Sequence, residues 1–258
     1  MTVAEHGPAH DDAVARERDY WTAHDEFDWM SDASKADTVA ALGEVRGDVL
    51  ELCIGSGLLS DRIAPAARSY TGLDISQPLL DAARRKVPGA TLVQGDAEDP
   101  PFPDASFDAV LVFAGLHHLP DYRRSVVHAH RLLRPGGVFA CFEPNKRAWY
   151  RAPMWLMRDL IGIYTDDEVF LDPRAVGAAM RDAGFADLQT RHMTPRLKPS
   201  FLTAPNRVLA HCMYAAAAFG TAAHTQSFFL LRGRKPERRA CRPRDALRPP
   251  PPTPASAR

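Results

Sequence analysis

Cysteine is scarce in this sequence: four occur in 258 residues, and none belongs to a Cys-x-x-Cys pair. This argues against disulfide and zinc frameworks and favours small core residues in a reducing cytoplasm. Metal-ligand spacings are also missing. No stretch reaches the roughly 18 uninterrupted apolar residues of a membrane span, and residues 1–14 lack the apolar segment of a signal peptide. We therefore expect a cytoplasmic protein with no metal and no integral membrane segment.

An overall excess of one charge is lacking too, since 32 basic residues balance 32 acidic ones. The distribution is uneven: residues 232–258 hold nine Lys/Arg and two Asp/Glu, which leaves 23 basic and 30 acidic residues in 1–231. An acidic body argues against a nucleic-acid partner, whose phosphates require clustered positive charge. The basic, Pro-rich residues 236–258 are predicted to be a disordered tail, because they have no apolar pattern from which to build a core.

What is present is an alternation of strand and helix patterns. The predicted strands are Asp48–Ile54, Tyr70–Ile75, Ala90–Gln94, Phe107–Phe113, Val138–Glu143, Asp187–Met193 and Ser227–Arg232. Most of the predicted helices lie between them, at Ala33–Val45, Leu58–Arg68, Pro78–Lys86, Tyr122–Leu133, Asp172–Gly184 and Arg207–Phe219. This alternation predicts an α/β fold with a parallel, doubly wound sheet.

Residues suited to ligand binding follow the first four predicted strands. Gly55-Ser56-Gly57 comes after the first strand, and Asp74 lies at the end of the second. Asp96 follows the third strand, and His117 and His118 follow the fourth. Glycines let the backbone turn tightly and approach a ligand, and a carboxylate after the second strand can accept both ribose hydroxyls of a nucleoside. Because ligands of open α/β sheets bind outside the carboxyl ends of the strands, these features predict one nucleoside-binding crevice.

In these features and their order, the sequence resembles the class I S-adenosylmethionine-dependent methyltransferases. The residues that carry the resemblance are Val49-Leu50-Glu51-Leu52-Cys53-Ile54-Gly55-Ser56-Gly57, Gly72-Leu73-Asp74-Ile75-Ser76, Gly95-Asp96-Ala97-Glu98-Asp99, Pro101-Phe102, Ser106-Phe107-Asp108, Leu116-His117-His118-Leu119 and Leu133-Arg134-Pro135-Gly136-Gly137. The sequence looks most like the branch that methylates small molecules, which includes ubiquinone/menaquinone-type and natural-product enzymes. The resemblance implies a Rossmann-like, seven-stranded sheet, mostly parallel with an antiparallel last strand, and helices on both faces.

The resemblance also implies S-adenosyl-L-methionine as the cofactor and a set of residues that bind it. Glu51 and Gly55 would line the methionine end, Gly57 the adenosine, Asp74 the ribose hydroxyls and Ile75 the adenine ring; Asp96 and Ala97 would hold the adenine edge, and Phe113 and Ala114 would line the sulfonium. Cys53 belongs to the same turn but stands where the family usually has glycine. A side chain there narrows the turn, so lower cofactor affinity or a shifted methionine end is expected.

Residues 48–143 are thus the predicted cofactor-binding core of a single domain. Val14–Met30 is interpreted as a helix that either docks on the domain or covers the cofactor. The Trp/Met-rich residues 149–164 are interpreted either as part of the core or as a wall of the acceptor pocket. The predicted boundaries are a disordered lead at 1–12, the domain at 13–235 with a helical cap at 13–47, acceptor-side insertions at 144–171 and 195–224, and the tail.

The predicted function is methyl transfer to a small apolar or aromatic acceptor in secondary metabolism. His117 or His118 is the candidate general base, since imidazole titrates near neutrality; in an extended chain one would face the acceptor, and we favour His117. Packing is the alternative role for both. No Asn-Pro-Pro-Tyr-like motif follows the fourth strand, which argues against methylation of nucleic acid bases. A lipid or isoprenoid acceptor and a non-catalytic S-adenosylmethionine-binding partner protein remain alternatives, and the oligomeric state, a homodimer included, is left open.

Overall fold

The computed structural model describes residues 8–22, 28–151, 156, 170–220 and 223–237. Within these ranges one seven-stranded sheet has the order β3-β2-β1-β4-β5-β7-β6. Its strands are β1 (Asp48–Leu52), β2 (Ser69–Asp74), β3 (Thr91–Gln94), β4 (Phe107–Phe113), β5 (Leu133–Pro144), β6 (Ala186–Met193) and β7 (Phe228–Arg234). The pairs among β1 to β5 are parallel, whereas β7 runs antiparallel to both β5 and β6. The predicted fold class is therefore confirmed.

Helices flank the sheet at positions close to those predicted. They are α1 (Pro8–Thr22), α2 (Asp32–Leu42), α3 (Ser60–Ile63), α4 (Gln77–Lys86), α5 (Tyr122–Leu132), α6 (Pro173–Asp182) and α7 (Ala204–Ala218). The Ser76 side chain caps α4 and accepts a hydrogen bond from the Leu79 N–H. Asp172 caps α6 in the same way, with Pro173 at the first helical position, where the missing N–H is not needed.

The core has two layers, one on each face of the sheet. Because side chains alternate along a strand, Val110 and Val112 of β4 point into one layer and Ala109 and Leu111 into the other. All four are buried, so the nearly continuous apolar run of β4 is accounted for by burial on both faces, as predicted.

Three local elements differ from the predicted bounds. The helix expected over Leu58–Arg68, shortened or kinked by Pro65, is a single α-helical turn followed by a 3-10 turn at Ala64–Ala66, because Pro65 cannot donate the hydrogen bond that would continue the α-helix. Residues 134–137, which precede the predicted strand, form the irregular beginning of β5, where the register against β4 shifts. Residues 8–12, assigned to a disordered lead, belong to α1. Residues 1–7, most of 152–169 and the predicted tail from residue 238 lie outside the described residues.

The antiparallel position of β7 determines where the connection between β6 and β7 lies. Met193 at the end of β6 pairs with Phe228, and Phe228 also pairs with Pro144 at the carboxyl end of β5. The connection that contains α7 therefore begins and ends at the carboxyl edge of the parallel strands. Within the described residues, no helix combines the length and the apolar character needed to cross a membrane.

Candidate functional site

The turn after β1 has a backbone that favours glycine and leaves open space beside it. Gly55 has φ +54° and Gly57 has φ +78°, both in the left-handed region. A Cβ built on Gly55 would meet no atom within 4 Å. The turn is tied to β2, because the Gly55 N–H donates to Asp74 Oδ2 over 2.7 Å and the Ser76 N–H donates to Oδ1 over 3.0 Å.

Asp74 is therefore placed at the turn, as the sequence predicts, and it also holds that turn in shape. The residue is 7% exposed, and desolvation raises the pKa of its carboxyl to about 6 in spite of the backbone donors. A carboxylate has about four acceptor positions, and backbone N–H groups of the two turns, those of Gly55 and Ser76 among them, occupy part of these. The remaining acceptor capacity is open to a ligand hydroxyl.

Cys53 adopts the backbone conformation that explains why glycine is usual at this position. Its φ is +54°, in the left-handed region that is costly for a residue with a Cβ. The Cys53 side chain is half-buried and lies against Gly115, where an added Cβ would be 2.5 Å from Cys53 Cβ. Burial raises the pKa of the Cys53 thiol well above its usual range. The side chain is thus accommodated by the absence of one on Gly115.

Glu51 is a buried carboxyl on the α3 side of β1. The Ser60 hydroxyl donates to its Oε2 over 2.6 Å, and the Tyr70 hydroxyl donates to the same oxygen. Among the described residues none donates to Oε1, although that oxygen is buried. Desolvation raises the pKa of Glu51 to about 7. A buried acceptor without a donor is costly, so Oε1 is suited to a ligand that brings a donor.

The turn after β3 places Asp96 and Ala97 at the same edge. Asp96 Oδ1 accepts from the Glu98 N–H over 2.7 Å, and the Ala97 carbonyl accepts from the Ser125 hydroxyl over 2.8 Å. Ile75, half-buried after β2, is held by the Gln94 side-chain amide, which donates to its carbonyl over 3.0 Å. These bonds fix the backbone of both turns, so their side chains have defined positions at the crevice.

After β4 the chain forms a network around Glu143, a residue that the sequence analysis did not select. Phe113 is buried, and Ala114 has φ +53°. Glu143 Oε1 accepts from the N–H groups of Gly115 and Leu116 over 3.1 and 2.9 Å, and Oε2 lies 2.7 Å from His117 Nδ1. The carboxyl at the end of β5 thus holds the whole turn after β4.

The two histidines are placed differently from the prediction. Leu116–His118 is a 3-10 helix, so the expected alternation of an extended chain was wrong. His117 is 5% exposed and bonded to Glu143, whereas His118 is half-buried, with its ring centroid 4.0 Å from that of His117. Desolvation lowers the pKa of both imidazoles and raises that of Glu143. Burial therefore disfavours the charged forms of both His117 and Glu143, whose side chains are in contact.

Known proteins match this chain in both sequence and fold. Residues 50–141 match a family model described as a methyltransferase domain. Demethylmenaquinone methyltransferase of Listeria welshimeri is 37% identical over 114 residues, which is 40% of this chain and 48% of the relative. An uncharacterized methyltransferase of Synechocystis is 35% identical over 144 residues, which is 53% of this chain and 66% of the relative.

Residues 50–141 form a methyltransferase domain of the class I S-adenosylmethionine-dependent type. S-adenosyl-L-methionine is the cofactor of this family. The sequence match covers about half the length of the Listeria relative.

Solved structures share the fold of this chain. Haemonchus contortus phosphoethanolamine N-methyltransferase 2, solved with S-adenosyl-L-methionine, superposes with a TM-score of 0.62 over 88% of this chain and 57% of that one, at 15% identity. The [4+2]-cyclase SpnF superposes with a TM-score of 0.58 over 88% of this chain and 93% of that one, at 20% identity. At these identities the superpositions show the shared fold alone.

The residues of this methyltransferase fit the cofactor. The buried Glu51 Oε1 lacks a donor among the described residues, and an amino group such as that of the methionine end would supply one. The open space beside Gly55 accommodates a ligand that any larger side chain would displace. Asp74 retains acceptor positions for hydroxyls. Cys53, which was expected to narrow the turn, leaves the space at Gly55 open and presses on Gly115 instead.

Several residues that shape the site escaped the sequence analysis. Ser60 and Tyr70 orient Glu51, and Glu143 orients the turn that carries His117. Glu143 did leave a signal in the sequence, since it is an acidic residue at the end of the apolar run Val138–Phe142. A carboxyl that terminates a buried strand at the ligand edge is a candidate site residue on that ground alone.

Proposed function

We propose that this chain transfers a methyl group from S-adenosyl-L-methionine to a small apolar or aromatic acceptor. The observation that carries the proposal is the open turn at Gly55, which Asp74 holds, between Glu51 of β1 and Asp96 of the turn after β3 in the order of the chain. Bound cofactor supplies an electrophilic methyl group on a sulfonium. The family assignment and the named relatives support the reaction.

In this proposal the chain contributes binding and orientation more than chemistry. Glu51 accepts from the methionine amino group, Asp74 from the ribose hydroxyls and Asp96 from the adenine amino group, while Ile75 packs on the adenine ring. Gly57 and Ala97 bring their backbone close to the adenosine, and Phe113 and Ala114 line the methyl group. Such a site accelerates the reaction by aligning the acceptor with the methyl group and excluding water.

A general base is proposed from the turn after β4. A base acts well when a third group orients its other ring nitrogen, and Glu143 does this for His117 through the 2.7 Å contact at Nδ1. The carboxylate would stabilise the imidazolium that forms when Nε2 takes a proton from the acceptor. His118, whose ring is tilted by 41° against that of His117, is the alternative base.

The base is tested by kinetics on the two histidines. His117→Ala should reduce turnover by about 10²–10⁴-fold, the usual worth of general acid–base catalysis, with cofactor affinity unchanged. His118→Ala is the comparison variant, since its ring centroid lies 4.0 Å from that of His117. If His118→Ala alone removes the pH-dependent limb of the rate profile, the base is His118. Unchanged kinetics in both variants would leave alignment as the source of the rate.

The acceptor is the part of the proposal that most needs an experiment. Wild-type protein is incubated with the cofactor and a panel of phenols, quinones and isoprenoid quinones, and products 14 Da heavier are sought by mass spectrometry. Calorimetry with S-adenosylhomocysteine runs in parallel and should show micromolar binding. Failure to bind would contradict the proposal, whereas binding without turnover of any acceptor would favour a non-catalytic partner protein.

A lipid or isoprenoid acceptor is the second candidate. It is favoured by the relatives named demethylmenaquinone methyltransferase and by the apolar outer side of α7. Methylation confined to the isoprenoid members of the panel would select it. A role in secondary metabolism, a cytoplasmic location and a homodimer stay predictions.

A further inference from the structure

The outer side of α7 is apolar, although it is exposed. The helix packs on Ala148 and Tyr150 through Leu209, Met213 and Ala216. A surface helix normally presents polar residues on the side that faces away from the core. Here that side carries Val208, which is 65% exposed, the exposed Cys212, Ala215 and Ala218, and Phe219 just after the helix, which is 88% exposed.

A large aromatic side chain extends this apolar area. The Trp149 side chain is largely exposed, at 59% for the residue. The backbone N–H of Trp149 donates to the backbone carbonyl of His224, in the segment that follows α7, over 3.1 Å. Its chain neighbours Ala148 and Tyr150 lie beneath α7. We call Trp149, Val208, Cys212 and Phe219 the α7 surface. It lies at the carboxyl edge of the sheet, the edge at which the cofactor site also lies.

The ionised side chains of the segment that contains α7 all carry the same sign of charge. No Asp or Glu occurs between residues 188 and 236, whereas the acidic residues outnumber the basic ones by seven over residues 1–231. Arg207 and His211 are exposed on α7 itself, and Arg196 is exposed in the loop before it. A local excess of positive charge beside exposed apolar side chains, on an otherwise acidic body, is the composition of a helix that lies in the interface of an anionic bilayer.

We propose that the α7 surface docks on an anionic lipid bilayer, with Trp149, Val208 and Phe219 entering the interfacial region. The charge decides against a second copy of this chain as the occupant. A two-fold dimer places the same patch against itself, and α7 carries Arg207 but no carboxylate to pair with it. Lipid phosphates supply the opposite charge, and tryptophan is favoured at the headgroup level.

Docking in this orientation turns the carboxyl edge of the sheet, and with it the acceptor side, toward the bilayer. The inference does not depend on the proposed reaction, because lipid binding requires neither the cofactor nor an acceptor. A protein that binds lipid without methyl transfer, or transfers methyl groups without binding lipid, separates the two proposals.

The test is co-sedimentation of the full chain with vesicles, without cofactor. Wild type should bind vesicles of phosphatidylcholine with phosphatidylglycerol, bind pure phosphatidylcholine weakly, and lose affinity as salt is raised. Val208→Asp and Phe219→Asp should each weaken binding roughly tenfold, since an apolar contact is replaced by a charge that anionic lipid repels. Both residues are exposed, so the fold should be kept, which circular dichroism checks.

Gly89→Asp is the matched control. It adds the same charge at the opposite edge of the sheet, between α4 and β3, where an added Cβ meets nothing within 4 Å. Its binding should equal that of wild type. The basic residues beyond 237 are common to every variant, so the ratio between variants isolates the α7 surface.

A second measurement uses the exposed thiol of Cys212, on the outer side of α7. An environment-sensitive fluorophore attached there, in a Cys241→Ser background, should shift its emission to shorter wavelength when anionic vesicles are added. The proposal is overturned by absence of binding to anionic vesicles, by equal binding of Val208→Asp, Phe219→Asp and Gly89→Asp, or by a wild-type dimer that Val208→Asp dissociates.

Discussion

Gly115 and Cys53 should be energetically coupled, and the coupling is measurable. A Cβ added at Gly115 would be 2.5 Å from Cys53 Cβ, 3.3 Å from its sulfur and 3.0 Å from Val112 Cγ1. Gly115 has φ −125°, a value open to any residue, so Gly115→Ala introduces a steric clash without backbone strain. Overpacking of this kind costs about 1–3 kcal/mol.

Removing the Cys53 side chain should relieve most of that clash. Cys53→Gly alone should change the free energy of unfolding little. The variant removes the strain of a residue with a Cβ in the left-handed region, but glycine has the greater backbone entropy in the unfolded chain, and the two effects oppose each other. In the double variant only the 3.0 Å contact with Val112 remains. We therefore expect a coupling free energy of about 1–2 kcal/mol in favour of the double variant.

The assay is equilibrium unfolding in urea for the wild type, both single variants and the double variant, with the slope of the transition compared among them. Gly89→Ala is the matched control, because an added Cβ there meets nothing within 4 Å. Additive effects of the two single variants would refute the reasoning, and so would a Gly115→Ala protein as stable as the Gly89→Ala control.

Three further predictions follow from buried or terminal groups. Asp74→Ala should weaken S-adenosylhomocysteine binding by about 1–3 kcal/mol in calorimetry, since it removes an ionic acceptor and frees the backbone of Gly55; wild-type affinity in the variant would contradict this. The pKa of Glu51 is raised to about 7 by burial, so its contribution to stability is complete below about pH 4.5 and is lost as pH rises to about 7. Glu51→Gln should flatten that decline, which is at most about 3 kcal/mol, in urea titrations at pH 5 and pH 8; parallel pH profiles would show that Glu51 is not the source. Truncation after Lys235 should leave the melting temperature unchanged, and a drop of several degrees would assign the tail a structural role.

The sheet could be predicted from the sequence because its signals are local. β4 was predicted with its observed bounds, since an apolar run between a polar loop and a glycine turn has one simple interpretation. Ser76 likewise indicates the beginning of α4, because a serine hydroxyl can cap the first N–H groups of a helix. Helix α3 is shorter than predicted. The sequence shows that Pro65 interrupts the helix, but how many residues stay helical on each side depends on tertiary packing.

The polar partners within the site could not be predicted, because they join residues far apart in sequence. Glu143 lies 26 residues from His117, and Tyr70 lies 19 residues from Glu51. No spacing rule connects such pairs, since each depends on the lateral order of the strands. The 3-10 helix at Leu116–His118 depends in turn on Glu143. Its Oε1 accepts hydrogen bonds from the N–H groups of Gly115 and Leu116, at the beginning of this helix.

The hairpin formed by β6 and β7 has a consequence for how such a chain diversifies. A parallel final strand would require a crossover that returns to the opposite edge, whereas the antiparallel β7 lets residues 194–227 leave and re-enter at the same edge. This loop can change length or be exchanged for another without altering strand order, register or the turns at Gly55 and Asp74. We expect that grafting the corresponding loop of a relative would change acceptor preference while keeping cofactor affinity. Acceptor selectivity could then evolve by exchange of this loop, independently of the residues that bind the nucleoside.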